Sequence, residues 1–176
     1  SFAYSGLTGS IAVPDSSSTN LLGDMSINAW VNITDFATYR GLLGKASAGG
    51  VPQPYDSYWR PDGTFAWYRG DGSNYAYVYT GIVASTNVWF NWTVSQSGST
   101  TSFYLNGSLV LASGWTASWG SYSTNSGNNS TALVGSRSDS LTQFKGNIGQ
   151  IAVYNRAISS LEVAQNFNAH RGRYGL

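Results

Sequence analysis

The chain has 176 residues, of which 10% are charged, with a formal net charge of +1 and no cysteine. That length suits one domain over 1–176 with a sizeable buried core. The charge excludes a basic field of the kind that draws proteins to phosphate backbones, and the lack of cysteine excludes disulfide scaffolds and thiolate chemistry. No apolar run approaches the roughly 20 residues that span a bilayer, so membrane insertion is not expected. The first residues lack a basic start followed by an apolar stretch, and the chain reads as mature or excised.

Period-two alternation predicts strands along most of the chain. "GSIAV" comes first, then "MSINAWVNI", where Met25, Ile27, Ala29, Val31 and Ile33 share one face and Asn28, Trp30 and Asn32 the other. "GLLGK", "SYWRP", "TFAWYR" and "NYAYVYTG" follow, with the turn "RPDGT" placing Asp62 and Gly63 between two of them. "RGDGSN" offers a second turn, whose Arg69 to Asp71 tripeptide carries little information beside its turn chemistry. "VWFNWTVSQ" and "TSFYLNGSLV" come next, the latter a hairpin around Asn106 and Gly107, the pair suited to a type I′ turn. The polar stretch from Ser121 to Thr131 reads as a surface loop before "TALVGSR" and "NIGQIAVYNRA". Roughly ten short strands imply an all-β, two-sheet sandwich.

One helix is expected near the end, in "ISSLEVAQNFNA". Ser159 and Glu162 stand three apart, as a capping box requires, and Leu161, Ala164 and Phe167 would share the packed face.

The segments "INAWVN", "WFNWTVSQSGSTTSFYLNGSLV", "ALVGS" and "FKGNIGQIAVYNRAIS", in that order, resemble laminin-G-like members of the concanavalin A-like lectin/glucanase superfamily. The resemblance implies a jelly-roll sandwich of two curved antiparallel sheets with one short C-terminal helix. It covers carbohydrate-binding modules, adhesion domains, glycosidases and lyases, so it leaves the activity open. The ending "YNRAISSLEVAQNFNAHRGRYGL" is similar to the ends of such domains in phage and large-virus structural proteins, which implies a virion or extracellular surface.

The catalytic parts expected of enzymes in this superfamily are missing. A glycosidase needs two carboxyl groups about 5 to 9.5 Å apart. The acids are Asp15, Asp24, Asp35, Asp56, Asp62, Asp71, Asp139 and Glu162, mostly beside turn residues, and no E-x-D-x-x-E is present. The single His170 follows the predicted helix, as a helix-end residue. The resemblance also implies an acid after the isoleucine of the last long strand. Gly149 and Gln150 stand there, which weakens calcium as a cofactor, with Asp15, Asp24 and Asp139 left as candidate ligands and the metal site unknown.

A sugar site needs flat apolar faces with a few hydrogen-bonding groups around them. The 7 Trp and 12 Tyr supply these. Tyr75, Tyr77 and Tyr79 alternate with Ala76 and Val78, so a tyrosine ladder is expected on an outer face. Trp59, Arg60, Trp115 and Trp119 complete the candidate binding set. The expectation is a non-catalytic domain that binds a glycan or a surface protein. The alternatives are a structural domain whose aromatics bury themselves in a homo-oligomer or a capsid or appendage lattice and, ranked below it, a glycan-degrading enzyme.

Overall fold

The computed structural model describes residues 2–5, 9–45, 54–70, 75–114, 129–137 and 142–176. In chain order the strands are β1 (Phe2–Ser5), β2 (Ile11–Val13), β3 (Met25–Ile33), β4 (Arg40–Lys45), β5 (Tyr55–Trp59) and β6 (Thr64–Gly70). Then come β7 (Tyr75–Val83), β8 (Trp89–Ser97), β9 (Thr100–Leu105), β10 (Ser108–Gly114), β11 (Ala132–Val134) and β12 (Lys145–Tyr154). Helix α1 (Ser160–His170) and a 3₁₀ turn (Arg171–Tyr174) close the chain. The strands form two antiparallel six-stranded sheets, ordered β1-β12-β3-β8-β9-β10 and β2-β11-β4-β5-β6-β7.

The core lies between the sheets, where the predicted alternation delivers it. Met25, Ile27, Ala29, Val31 and Ile33 of β3 meet Leu43, Tyr55, Trp59, Phe65, Trp67 and Val78 of the other sheet, all in one apolar cluster. Turn chemistry joins the strands as expected. Asn106 and Gly107 have φ of 50° and 79°, and Gly63 has φ of 78°, values that a type I′ hairpin and a tight turn demand.

The second face of the first sheet is buried too, because the C-terminal segment lies across it. Trp30 stacks against Phe167 and Tyr174, with centroids 5.6 and 4.3 Å away. The polar positions of β3 and β8 hold the approach to α1: the Ile158 amide donates to the Ser26 and Ser95 hydroxyls at 3.0 Å, and the Ser95 hydroxyl donates to the Ile158 carbonyl at 2.7 Å. Beside them the Asn28 amide donates to Thr93 and Asn91, so these buried polar groups satisfy each other.

Helix α1 starts at the predicted capping box. The Glu162 amide donates to the Ser159 hydroxyl and the Ser159 amide to the Glu162 carboxylate. The packed face differs from the expected one: Leu161 is 66% exposed, whereas Val163 is buried and Phe167 meets Trp30. Val163 and Phe167 are four apart and so share a face, and the rotation of α1 is set by the aromatic stack rather than by Leu161.

Candidate functional site

The outward side of the second sheet carries the tyrosines. Residues alternate across a strand, so burying Ala76 and Val78 in β7 turns Tyr75, Tyr77 and Tyr79 outward. The same rule sends Phe65 and Trp67 of β6 inward and Tyr68 outward. In β5 it sends Tyr55 and Trp59 inward, and Asp56 and Tyr58 to the other side. Register aligns these into rows across the strands. Asp56 pairs Tyr68, which pairs Tyr77, while Tyr58 pairs Ala66, which pairs Tyr79.

Tyr68 is the hub of the resulting platform. Its ring lies 5.5 Å from Tyr58 at 21° and 5.3 Å from Tyr77 at 26°, with Tyr75 at 6.0 Å and Tyr79 at 6.3 Å. Tyr77 and Tyr79 are 4.7 Å apart, and Tyr39 meets Tyr58 edge-on at 5.6 Å. The Tyr68 and Tyr79 hydroxyls share a hydrogen bond of 2.8 Å. Tyr75 and Tyr79 are 52% and 38% exposed, Tyr68 and Tyr77 are half-buried, and Tyr58 is buried.

Two arginines border the platform. Arg60, just after β5, lays its guanidinium 4.4 Å from the Tyr79 ring centre, and Arg137 lies 4.2 Å from that of Tyr58. Arg137 pairs with Asp56 at 3.1 Å, and Arg60 with Asp62 at 3.1 Å. The route of Arg137 depends on one glycine. The connection from β11 to β12 crosses β4 at Gly41, where a Cβ would come 2.2 Å from the Arg137 nitrogen. The Gly135 amide donates to the Leu42 carbonyl and the Arg137 amide to the Thr142 carbonyl, fixing that crossing.

The phenols are poor acids in this setting. Burial pushes Tyr58 up to about 12. Burial, then hydrogen bonds with Tyr58 and Tyr79, raises Tyr68 well above the ordinary phenol range. At neutral pH both stay uncharged and keep their hydroxyl hydrogens. Beyond Asp56 and Asp62, three described aspartates are engaged away from the platform. Asp15 accepts from Lys45 and Asn20, Asp24 from Ser97 and the Gly98 amide, and Asp35 from Lys145 and Arg40. Among the described residues no three of His, Asp and Glu gather as a metal site would require.

Several sequence expectations find their places here. Tyr75, Tyr77, Tyr79 and Arg60 come together as one face. Trp59 does not join them: it is 0% exposed, packed edge-on against Phe65 at 4.8 Å and Phe90 at 5.9 Å. Trp59 and Arg60 are adjacent, so alternation forbids both from facing outward, and the apolar ring takes the core. Trp115, Trp119, Asp71 and Asp139 lie outside the described residues. Arg69 is buried, donating to the Leu21 and Gly23 carbonyls at 2.7 and 3.1 Å, so the Arg-Gly-Asp tripeptide presents no arginine to a partner. His170 ends α1, its ring nitrogen 3.0 Å from the Asn166 carbonyl. Gly149 and Gln150 lie on the other sheet, and Gly149 is covered by Tyr174, whose hydroxyl would be 2.5 Å from an added Cβ.

Tyr58, Tyr68, Asp56 and Arg137 were not anticipated as site residues. Alternation in "YDSYWRP" and "TFAWYR" carries the signal for the first three; nothing local signals Arg137, which arrives from a distant connection.

No curated protein matches the chain in sequence. Among solved structures, the CBM40 module of the Ruminococcus gnavus IT-sialidase superposes with a TM-score of 0.70 at 16% identity, over 93% of this chain and 97% of that one. That module has also been solved bound to α2,3-sialyllactose. The Trypanosoma rangeli sialidase matches with a TM-score of 0.68 at 16% identity over 96% of this chain, which spans 27% of the enzyme. The binding domain of Paraclostridial Mosquitocidal Protein 1 matches at 0.62 and 19%, over 96% of this chain and 42% of that one. At these identities the likeness concerns the fold. The sequence model of the laminin G type within the concanavalin A-like lectin/glucanases superfamily matches residues 5–164, and the chain belongs to that family.

Proposed function

We propose that the domain is a non-catalytic carbohydrate-binding module whose ligand lies on the face formed by Tyr68, Tyr75, Tyr77 and Tyr79. The observation that carries the reading is the contiguity of those rings: neighbouring phenols on adjacent strands form an aromatic row whose exposed members, Tyr75 and Tyr79, offer apolar surface to sugar C–H groups, and their hydroxyls, with Arg60, supply donors and acceptors around it. Uncharged phenols and carboxylates held in ion pairs or turns suit binding rather than bond cleavage. The sialyllactose complex of the R. gnavus module supports a glycan as the class of ligand. The similarity of the terminal segment to viral family members favours a virion or extracellular surface as its place of action.

The test is a glycan array followed by calorimetry on the strongest hits. Binding is expected, and Tyr77→Ala should weaken it about tenfold, because the Tyr77 ring, 4.7 Å from Tyr79 and 6.4 Å from Tyr75, holds both exposed rings in place. No glycan bound, or glycans bound equally well by Tyr77→Ala and Tyr79→Ala, would overturn the assignment. Half-exposed Tyr75 is also what a subunit contact would cover. Light scattering showing an oligomer that Tyr75→Ser dissociates would favour the structural alternative.

A further inference from the structure

Among the described residues, the charges bordering the tyrosine platform come in matched pairs. Arg137 holds Asp56, whose side chain is fully buried on the platform side of β5. Because a buried carboxylate stripped of its cation is strongly unfavourable, that guanidinium is committed to the fold. Arg60 faces Asp62, which the turn fixes in place: the Thr64 amide and hydroxyl donate to Asp62 Oδ1 at 3.0 and 2.6 Å, leaving Oδ2 directed at Arg60. Hydrogen bonding from Thr64 also holds the Asp62 carboxyl below its usual range, so it keeps its charge through mild acid. Each guanidinium spends one flat face on a tyrosine ring.

Resting on the carbohydrate-binding reading, we infer that this platform selects uncharged sugars and discriminates against sialylated or otherwise carboxylated ones. A sugar carboxylate seeking Arg60 approaches Asp62 at the same time, and one seeking Arg137 competes with Asp56. An uncharged pyranose meets no such opposition. Its C–H groups pack on the exposed rings of Tyr75 and Tyr79, and its hydroxyls reach the Tyr68 and Tyr79 hydroxyls, which are joined at 2.8 Å, and the outer N–H groups of Arg60. The platform would thus differ in ligand charge from the sialyllactose-bound module that shares its fold.

The experiment compares matched glycans, such as lactose-terminated chains with and without an α2,3-linked sialic acid, by calorimetry on the intact domain. Binding counts as platform binding when Tyr77→Ala reduces it. The neutral member should bind at least about fivefold more tightly than its sialylated partner. Its affinity should change by less than about twofold between 50 and 500 mM salt, since no net charge is neutralised. Asp62→Asn retains the Oδ1 acceptor for Thr64 while removing the charge beside Arg60. It should strengthen sialylated binding about threefold or more and make that binding salt-sensitive. Tighter, salt-sensitive binding of the sialylated glycan to the unaltered domain would overturn the inference and leave the glycan-binding reading standing. So would an Asp62→Asn variant indistinguishable from it. Absence of platform binding by either glycan class across the array would overturn the underlying reading, and the inference with it.

Discussion

Replacing Gly149 by alanine would bring a methyl group to 2.5 Å from the Tyr174 hydroxyl and 2.6 Å from its Cε1, so the ring would have to leave its seat. Tyr174 stacks on Trp30 at 4.3 Å and lies 4.8 Å from Trp89, while its hydroxyl is buried without a hydrogen-bond partner among the described residues. Each aromatic contact contributes about 0.5–1.5 kcal/mol beyond area burial, so losing both costs about 1–3 kcal/mol. The reduced freedom of the unfolded chain on Gly→Ala returns about 0.4–1 kcal/mol, leaving a net loss of about 1–2 kcal/mol. In a thermal scan this lowers Tm by roughly 2–8 °C for a domain of this size. The decisive measurement is a double-mutant cycle with Tyr174→Ala. In that background Gly149→Ala should be neutral or slightly stabilising, because the obstacle is gone. Equal destabilisation in both backgrounds would refute the steric argument and place the role of the glycine in the β12 backbone alone.

Two further outcomes follow from buried and capping groups. Trp59→Ala should cost about 3–5 kcal/mol in urea unfolding, as deletion of a core indole does. A variant as stable as the unaltered domain would show that this ring is not core. Glu162 titrates at about 2, below its ordinary 4.5, because Arg156 and then Ser159 hydrogen-bond to its charged form. A carboxyl with a depressed folded value contributes its full stability above the unfolded value and loses it as the pH falls toward the folded one. Amide-exchange protection of α1 should therefore decline between pH about 4.5 and about 2, and Glu162→Gln should remove that dependence. Identical profiles for both proteins would count against the capping carboxylate as its source.

The two-sheet architecture was legible because alternation and turn chemistry are local. Met25 through Ile33 predicted the inner face of β3, Asn106 and Gly107 the hairpin, and Ser159 with Glu162 the start of α1. What escaped the sequence was mostly a second layer. Trp30 reads as an outward residue until Phe167 and Tyr174, far along the chain, are laid over it. Leu161 satisfied a helical stripe, but long-range stacking set the rotation of α1. At the candidate site the ladder of Tyr75, Tyr77 and Tyr79 was visible, whereas Tyr68 required knowing that β6 pairs with β7. Trp59 faces the core although Arg60 beside it borders the platform, because side chains adjacent in a strand point to opposite faces. Arg137 could not be read at all, since its position follows from the passage of a distant connection over Gly41.

Strand β1 lies in the first sheet, and the closing α1 and 3₁₀ segments pack on that sheet's outer face, across the core from the tyrosine platform. Strand β1 and the C-terminal helix are thus separated from the platform's sheet by about 10 Å of packed core. The aromatic stack of Trp30, Phe167 and Tyr174 and the tyrosine platform thus occupy opposite outer faces of the sandwich, so a substitution in one can be read without disturbing the other.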